Sequence, residues 1–474
     1  MKLTFWGATQ QVTGSLFELE LSDGYRVLID CGMDMEAKNG MALPPLYNGA
    51  NFPFDASRVN AVLLTHAHLD HSGRIPNMLK DGFEGQVLCT TPTMQVANII
   101  LRDSARINQS KLRRYHRRRS KNPDYEPEFT PSLLYNEKDV KHTMDRFVPV
   151  AHEKRFELTD NLTATFYKTG HLLGASSILL EVREEGEVKT LLFSGDIGRF
   201  DYPLLEDPTP LPEVDYVICE TTYGNRFHQS KGDIGEEIGQ LIQETCVDIP
   251  GRLIIPAFSI GRTQALLYTI NKISKEKGLP PIKIFSDSPM AFASNRVYQK
   301  SIPRLNEEAR EFNEEHGELF DFDNHVYLEN TRASKALENH SEPCVIISSS
   351  GMMSGGRIQH HVKSNIENPY CTIYVVGYCA DGTLGKRLLD GEKSVKMGSQ
   401  ELTVAARVAY TDAFSGHGDQ DDLLHFVEQQ SPERLKKAFL VHGELQAMYD
   451  FKDLLLEKGY QSVETPSAGQ TFEL

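Results

Sequence analysis

Short apolar runs rich in β-branched and aromatic residues recur in the first half of the chain and again near residue 440. Six of them end within a few residues of a side chain that can bind a metal or carry a proton. The six are residues 27–29 before Asp30, 62–64 before His66, 165–167 before His171, 191–193 before Asp196, 217–219 before Glu220 and 439–441 before His442. Runs of this length and composition predict buried strands. Functional groups at the ends of rigid strands predict one precisely built site.

Between residues 215 and 390 the pattern changes to alternating strand-like and helix-like stretches. Residues 252–255, 282–285 and 345–348 are strand-like, whereas residues 262–273 have helical periodicity. This alternation is typical of an α/β unit. Because His442 lies beyond it, we predict a first domain in two pieces, residues 1–214 and 391–474, with residues 215–390 inserted as a second α/β domain.

Composition and charge limit the classes of protein that fit. The 474 residues are too many for one hydrophobic core, and 40% hydrophobic with 24% charged residues is typical of a soluble globular protein. A formal net charge of -16 argues against a protein that coats polyanions generally. The seven cysteines include no CxxC pair, and no apolar run approaches the roughly 20 residues of a membrane span. We therefore predict a cytoplasmic protein with no membrane partner.

One strongly basic run stands out in this acidic chain. Residues 111–121 contain Arg117, Arg118 and Arg119 among further lysine and arginine residues. Such a run predicts contact with a phosphate backbone, and the alternative is a helix face that is merely solvated.

The segment from Thr65 to His71 reads THAHLDH and places His66, His68, Asp70 and His71 directly after an apolar run. Four potential ligands within six residues, in addition to those that follow the other apolar runs, are more than one tetrahedral ion needs. Without a cation, such a cluster would carry desolvation and mutual repulsion with no compensating gain. The sequence therefore predicts a site for two divalent ions.

Seven side chains can be divided between these two ions. One set is His66, His68 and His171, the other is Asp70, His71 and His442, and Asp196 bridges both. Zn²⁺ suits ligands rich in histidine, and Mn²⁺ is a realistic substitute because carboxylates contribute. Two ions ~3.5 to 4 Å apart can activate a water between them and neutralise charge on a phosphoryl group. Asp30 is expected to orient a ligand histidine rather than to bind metal.

The ordered series of motifs resembles the metallo-β-lactamase superfamily. The motifs are Asp30 after a strand, residues 66–71, Gly170-His171 and the Ser194-Gly195-Asp196 turn. The resemblance implies an αββα sandwich and metal-dependent hydrolysis. It does not choose the substrate, because fold does not imply function.

Three later motifs resemble the β-CASP branch of that superfamily, which contains RNA-processing nucleases. They are residues 220–224 around Glu220, residues 414–419 around His417 and residues 440–444 around His442. The resemblance implies an inserted α/β β-CASP domain. It also implies that His417 protonates the leaving oxygen, that Glu220 orients His417, and that Asp70 and Asp196 take part in catalysis as metal ligands. Histidine can carry a proton near neutral pH, as this role requires.

Two segments that contain glycine are expected to handle phosphate. Residues 348–357 follow a strand-like run and include Ser350, Gly351, Gly355, Gly356 and Arg357. In residues 256–262, Ser259 is expected to cap a helix, and Arg262 is expected to donate two hydrogen bonds to phosphate oxygens. Taken alone, each segment is more often a turn with a cap. Residues 377–387 also resemble a family segment, to which no role is assigned, and the His360-His361 pair is expected on a solvated helix face.

The sequence thus favours a two-zinc ribonuclease that hydrolyses single-stranded RNA through a metal-bridging hydroxide and leaves a 5′-phosphate and a 3′-hydroxyl. The alternatives are a small-molecule hydrolase of glyoxalase or lactamase type, a β-CASP nuclease that acts on DNA, and a catalytically silent RNA-binding subunit. Endonuclease and 5′ exonuclease action both remain open. The oligomeric state is also open, although proteins of this family are often homodimers.

Overall fold

Each of the six apolar runs that precede a functional side chain forms a strand. The strands are Arg26–Ile29, Ala61–Leu63, Leu162–Lys168, Glu187–Phe193, Tyr216–Glu220 and Lys437–Val441. The structure is a computed structural model that describes residues 1–35, 37–38, 41–42, 52–122, 125, 133–228 and 233–474. The described chain divides into two units, one of residues 1–200, 207–227 and 417–474 and one of residues 201–206 and 228–416.

The first unit contains two seven-stranded sheets. In spatial order, the first sheet consists of Gln470–Glu473, Lys2–Gly7, Leu16–Glu20, Arg26–Ile29, Ala61–Leu63, Gln86–Thr90 and Phe147–Val150. The second consists of Val463–Glu464, Lys437–Val441, Tyr216–Glu220, Glu187–Phe193, Ser176–Glu184, Leu162–Lys168 and Phe156–Thr159. A short hairpin pairs Ala37–Lys38 with Met41–Ala42. The helices are Leu69–Ser72, Ile75–Lys80, Thr91–Lys121, Glu137–Met144, Gln420–Glu428 and Leu445–Glu457, with a 3₁₀ turn at Ala56–Arg58.

The two sheets pack face to face, and helices cover the outer face of the second sheet. Phe193 of the second sheet stacks on Phe17 of the first, with 6.2 Å between ring centroids. On the opposite face, Leu192 packs with Leu423 and Phe451 from two helices. Successive strand residues point to opposite faces, so a strand buried on both sides needs the continuous apolar run seen here. This architecture confirms the predicted αββα sandwich.

The second unit is built on one six-stranded sheet whose neighbouring strands all run parallel. The spatial order is His325–Tyr327, Lys283–Asp287, Cys344–Ser348, Arg252–Pro256, Thr372–Val376 and Arg407–Thr411. A hairpin pairs Ser394–Met397 with Gln400–Thr403. The helices are Ile234–Ile242, which continues as a π-helix over Gln243–Asp248, then Arg262–Glu276, Pro289–Lys300, Glu307–His316, Thr331–Ala336, Ile358–Asn365 and Leu384–Leu389. Short 3₁₀ turns lie at Ile302–Arg304 and Leu337–Asn339. The inserted α/β domain is thereby confirmed.

The two units divide the chain at residues that differ from the ends of the predicted segments 1–214, 215–390 and 391–474, and strand pairing shows why. Tyr216–Glu220 pairs with Glu187–Phe193 and with Lys437–Val441, so it belongs to the first unit. Arg407–Thr411 pairs with Thr372–Val376, so it belongs to the second. Division of the chain into domains at the predicted residues stays a prediction.

The helix Thr91–Lys121 has an apolar first half and a basic second half. It begins at Thr90, whose side chain accepts a hydrogen bond from the Thr93 amide. Val96, Ile100 and Leu101 are buried, whereas the arginines near its carboxyl end are exposed. Across the described parts of the chain, no helix combines the length and apolar content that crossing a bilayer requires.

A buried carboxylate at the end of strand Lys283–Asp287 corrects one prediction. Asp287 accepts hydrogen bonds from His361 Nε2 at 2.7 Å, Arg357 Nη1 at 2.6 Å and Ser334 Oγ at 2.5 Å. His361 is therefore buried, and the expectation that it lies with His360 on a solvated helix face was wrong. The reason is a partner that is distant in the sequence, which helical periodicity alone does not reveal.

An Asp287→Asn variant is expected to lose about 3 kcal/mol of unfolding free energy at pH 7. The reason is that the buried donors of His361 and Ser334 lose their carboxylate acceptor and the charge of Arg357 loses its partner. Burial raises the pKa of Asp287, but hydrogen bonds from His361, Ser334 and Arg357 outweigh it and lower the pKa below 3.8. A depressed pKa stabilises the fold above the unfolded-state value, and this contribution is lost as pH falls through the folded-state value. Urea midpoints at pH 7 and pH 3 should therefore differ less in the variant than in the parent.

The matched control is Glu338→Gln, which alters the partly exposed partner of His360. Its urea midpoint should stay close to that of the parent, since exposed ion pairs contribute little. An Asp287→Asn protein with the parental midpoint at pH 7 would contradict the stabilising role of Asp287.

Candidate functional site

The structure brings all seven predicted metal ligands together in the first unit. They form two groups, His66, His68, His171 and Asp196 in one, and Asp70, His71 and His442 in the other. Within each group, one potential ligand atom per residue lies within 4.8 Å of every other. The histidines and Asp70 divide as the sequence suggests, whereas Asp196, predicted as a bridge, is grouped with His66, His68 and His171. Metal binding by these residues stays a prediction.

Parallel strands explain why ligands from distant segments meet. Glu187–Phe193, Tyr216–Glu220 and Lys437–Val441 are parallel neighbours, so their carboxyl ends lie at one edge of the second sheet. Ala61–Leu63 runs parallel to Arg26–Ile29 in the first sheet, and the chain then passes through His66 and His68 into the helix Leu69–Ser72. The site therefore lies where the ends of strands from both sheets converge.

Two residues of the site have strained backbones. Asp30 and His442 have φ angles of 61° and 51°, in the left-handed region that residues with a Cβ rarely adopt. Such conformations cost of the order of 1 kcal/mol or more and persist where surrounding contacts hold them. For His442 one such contact is the hydrogen bond from its backbone N to the Ala8 carbonyl, at 2.7 Å.

Asp196 faces both ligand groups at once. Its Oδ2 lies 3.4 Å from His66 Nε2 and 3.5 Å from His171 Nε2. Its Oδ1 lies 3.2 Å from His71 Nε2 and 3.7 Å from His442 Nε2. A carboxylate that bridges two cations needs one oxygen directed to each, and this arrangement provides it.

The chemistry of the cluster fits cations. Asp196 is 2% exposed, and no hydrogen bond from the described residues reaches its Oδ1. Ring nitrogens also approach each other closely, with 3.1 Å between His66 Nε2 and His68 Nδ1 and 3.2 Å between His71 Nε2 and His442 Nε2. A buried carboxylate among lone pairs is costly unless a positive charge compensates it.

The ionisation of the ligands differs from one group to the other. Burial, followed by the neighbouring His71, holds the pKa of His66 well below 6.5, which favours the neutral imidazole that metals bind. Burial raises the pKa of Asp196, but the surrounding imidazoles outweigh it and hold the pKa well below 3.8. Burial lowers the pKa of His71, yet Asp196 and Asp30 raise it well above 6.5. A cation would take the place of the proton that these carboxylates hold on His71.

Asp30 contacts a candidate ligand rather than standing in either group. Its Oδ2 lies 2.7 Å from His71 Nδ1, so it accepts the Nδ1–H and leaves Nε2 facing the site. Asp30 also accepts hydrogen bonds from the Thr65 amide and hydroxyl, both at 2.8 Å. Thr65 was missed in the sequence, although a hydroxyl directly before His66 was the available signal.

His417 and Glu220 lie beside the ligand cluster. His417 Nδ1 is 3.2 Å from Glu220 Oε1, and His417 Nε2 is 3.9 Å from Asp196 Oδ2. Glu220 is buried and also accepts hydrogen bonds from the Ile197 amide at 2.8 Å and the Thr222 amide at 3.1 Å. Burial lowers the pKa of His417, but Glu220 and then Asp196 outweigh it and raise the pKa to about 9. A protonated, partly exposed imidazole thus stands next to the cluster.

The predicted phosphate-handling arginines of the second unit are engaged within that unit. Arg262 Nε donates to the Phe414 carbonyl at 3.0 Å, and the guanidinium lies 4.9 Å from the centroid of the Phe258 ring. Arg357 Nη1 donates to Asp287 and to the Leu328 carbonyl. Both side chains therefore brace loops of the unit, and phosphate contact by either of them stays a prediction.

The serine and glycine positions near these arginines form tight turns. Ser350 donates through its backbone N and Oγ to the Gly355 carbonyl. A Cβ on Gly356 would lie 2.3 Å from the Ser349 carbonyl oxygen, and one on Gly351 would lie 3.2 Å from the Phe258 ring. Glycine is thus needed at residue 356 for close packing, and phosphate binding by the segment stays a prediction.

The expectation that Ser259 caps a helix was wrong. Its hydroxyl pairs with the Ser288 hydroxyl at 2.8 Å, and the helix Arg262–Glu276 begins after Gly261 without a side-chain cap. The cause is the turn at residues 257–261, which puts Gly261 rather than Ser259 next to the first helical residue.

The basic run lies at the carboxyl end of the helix Thr91–Lys121, in the first unit. Arg117, Arg118 and Arg119 are all exposed. Arg118 and Arg119 donate to the hydroxyls of Tyr125 and Tyr115, at 3.2 Å and 3.0 Å. Positive charge at a helix carboxyl end is favourable in itself, so exposure alone does not decide between a solvated face and phosphate contact.

Three family models match the chain in succession. A metallo-beta-lactamase superfamily domain matches residues 19–192, a Beta-Casp domain matches residues 263–388, and a Zn-dependent metallo-hydrolase RNA specificity domain matches residues 401–466. Their order is the order of the motifs described above.

Relatives match over almost the full chain. It is 32% identical over 461 residues to "Ribonuclease TTHA0252" of Thermus thermophilus, covering 97% of both chains. It is 30% identical over 446 residues to an "RNase J-like protein" of Methanocaldococcus jannaschii, covering 93% of this chain and 92% of the relative. It is 29% identical over 468 residues to "Transcription termination factor FttA" of Methanosarcina mazei, covering 97% of this chain and 69% of the relative.

Proposed function

Because the chain belongs to the β-CASP family of metallo-β-lactamase-fold hydrolases, we propose that it is a two-metal ribonuclease that hydrolyses phosphodiester bonds in single-stranded RNA. The observation that carries this proposal is Asp196, whose two oxygens face two separate groups of ligands. A single-ion site has no use for a second complete group.

His66, His68 and His171 would hold one ion, and Asp70, His71 and His442 would hold the other, with Asp196 between them. The Zn-dependent metallo-hydrolase model and the ligand set rich in histidine support zinc, and the carboxylates allow Mn²⁺ as a substitute. When bound, two such ions would supply an activated water and neutralise charge on the phosphoryl group. Through its hydrogen bond with Nδ1, Asp30 would keep Nε2 of His71 directed into the second ligand group.

His417 is the proton donor in this proposal. Cleavage that leaves a 5′-phosphate expels the ribose 3′ oxygen, a poor leaving group unless it is protonated. Burial lowers the pKa of His417, but Glu220 raises it and accepts a hydrogen bond from Nδ1, which leaves Nε2 to donate. Attack of water on phosphorus breaks the bond to the 3′ oxygen and leaves a 5′-phosphate on one product. The proton from His417 converts the departing oxygen into the 3′-hydroxyl of the other product.

RNA as the substrate rests on the named relatives and on the RNA specificity domain model. A small-molecule hydrolase would need the ligand cluster but neither the inserted unit nor the basic helix end. A silent RNA-binding subunit would be expected to lack ligands, and all seven are present here. Seven unpaired, buried cysteines suit a reducing compartment, and we propose the cytoplasm.

The direct test is digestion of labelled single-stranded RNA and DNA of the same sequence in Zn²⁺ or Mn²⁺. RNA should be cut and DNA should be cut much more slowly. RNA carrying either a 5′-phosphate or a 5′-triphosphate then separates internal cutting from 5′ exonuclease action. Absence of RNA cleavage at every metal concentration would refute the proposal.

Replacing Arg117, Arg118 and Arg119 together with Ser is expected to weaken RNA binding and to flatten its dependence on salt. A plot of log affinity against log salt has a negative slope. For single-stranded RNA, its magnitude decreases by roughly 0.7 for each phosphate that the protein no longer neutralises. If the three arginines neutralise two or three phosphates, the magnitude should decrease by about 1.4 to 2.1. Fluorescence anisotropy with RNA between 50 and 200 mM salt measures the slope.

The control carries the same change of charge elsewhere in the first unit, with Lys154, Arg155 and Arg183 replaced by Ser. These residues are exposed near the strands Phe156–Thr159 and Ser176–Glu184. The control should keep the parental slope. If the two triple variants behave alike, the basic helix end is only a solvated face.

A further inference from the structure

The side chain of Thr222 contacts the imidazole of His442 on the side that faces away from the other ligands. Thr222 Oγ1 is 3.1 Å from His442 Nδ1 and 3.2 Å from the His442 carbonyl oxygen. We infer that Thr222 is a positioning residue that fixes the tautomer and orientation of His442, and through it the affinity of the second ligand group for metal. This inference rests on the proposed two-metal function. The second ligand group is Asp70, His71 and His442.

The protons of this contact can be assigned. A carbonyl oxygen only accepts, so the Thr222 hydroxyl donates its proton to the His442 carbonyl. The remaining lone pairs of Oγ1 then accept a hydrogen bond from Nδ1–H of His442. With Nδ1 protonated, the Nε2 lone pair is available as a ligand.

The orientation of the ring agrees with this tautomer. His442 Nε2 lies 3.2 Å from His71 Nε2 and 3.6 Å from Asp70 Oδ2, so its lone pair is directed into the second group. Asp30 fixes His71 in the same way through Nδ1. The Thr222 hydroxyl thus accepts the Nδ1–H of His442, as the Asp30 carboxylate accepts the Nδ1–H of His71.

Among the described residues, the carboxylate that approaches His442 Nδ1 is that of Glu220. Its Oε2 is 4.0 Å away, which is too long for a hydrogen bond. That oxygen instead accepts the Thr222 amide at 3.1 Å. The Thr222 hydroxyl is therefore a partner of Nδ1 within hydrogen-bonding range, whereas Glu220 contacts His417 instead.

The neighbouring Thr221 supplies a matched control within the same turn. Its hydroxyl donates to the Val441 carbonyl at 2.8 Å, and its amide donates to the His442 carbonyl at 3.2 Å. It is fully buried, and a Cβ on Gly443 would lie 2.4 Å from its Oγ1. Thr221 therefore holds the backbone at His442, whereas Thr222 also contacts the ring.

The experiment measures metal binding, without RNA. Metal-free protein is titrated with Zn²⁺ in competition with a chromophoric chelator, and Co²⁺ absorption spectra report the coordination of each ion. The parent should bind two ions. Thr222→Val and Thr222→Ala should bind the second ion about 10 to 100 fold more weakly and change its Co²⁺ spectrum, because partners that orient ligands have effects of this size.

Thr222→Ser keeps the hydroxyl and should restore the parental affinity, and its difference from Thr222→Ala is a single oxygen atom. Thr221→Val should lower the urea midpoint but weaken binding of the second ion less than Thr222→Val does. Parental affinity in Thr222→Ala, an equal loss in Thr222→Ser, or an equal loss in Thr221→Val would each overturn the inference. If the parent itself binds fewer than two ions, the proposed function fails instead, and the two failures are thereby distinguished.

Discussion

Replacing Asp196 with Ala is expected to reduce the metal content from two ions to at most one and to lower RNA cleavage by about 10³ fold or more. Both groups lose a shared ligand, since each Asp196 oxygen faces a different group. Charge neutralisation by bound metal is worth several kcal/mol. Because each ~1.4 kcal/mol corresponds to a tenfold change in rate, losses of this size follow.

Metal content after gel filtration, measured by elemental analysis, checks the first part of this expectation, and single-turnover cleavage checks the second. Asp160→Asn removes an exposed carboxylate of the same unit and should keep both ions and full activity. Asp196→Asn retains one neutral oxygen and should fall between the alanine variant and the parent. Two tightly held ions in Asp196→Ala would show that the bridge is not part of the site.

His417→Ala is expected to slow cleavage by about 10² to 10⁴ fold while leaving metal content and RNA affinity close to those of the parent. The reason is that His417 lies outside both ligand groups and next to Asp196, where it can reach a substrate oxygen. Single-turnover rates, metal analysis and anisotropy together test this separation. Loss of metal from the variant would contradict the assignment of His417 as a proton donor.

A modified substrate isolates the proton-transfer step. If sulfur replaces the 3′ bridging oxygen at the cleaved bond, the leaving thiolate needs no proton. The defect of His417→Ala should then shrink to within about tenfold, because the general-acid contribution of 10² to 10⁴ fold is no longer required. Glu220→Gln should show a smaller defect on the oxygen substrate and the same recovery. An unchanged defect on the sulfur substrate would assign His417 another role.

The sequence could predict that these His and Asp side chains lie together because its signals are local. An apolar run that ends at Asp30, Asp196 or His442 is visible without knowledge of the fold, and metal binding depends on residue type. The inserted α/β unit could be predicted from the alternation of strand-like and helix-like stretches. The αββα sandwich was implied by the family resemblance that the order of the motifs carries.

Features that depend on distant partners could not be predicted. His361 is buried because of Asp287, whose position beside it follows from the parallel pairing of the strands Lys283–Asp287 and Cys344–Ser348. The engagement of Arg262 by the Phe414 carbonyl likewise depends on tertiary packing. Thr222 was overlooked because a threonine two residues after Glu220 has no special meaning until the strand that carries His442 is placed beside it.

The origin of the ligands also bears on biosynthesis. His442 follows an inner strand of the second sheet, and residues 228–416 of the second unit are translated between Glu220 and that strand. His442 is therefore synthesised long after His71, the histidine beside which it lies in the proposed second ligand group. Until the ribosome has passed residue 442, that group would lack one of its three members.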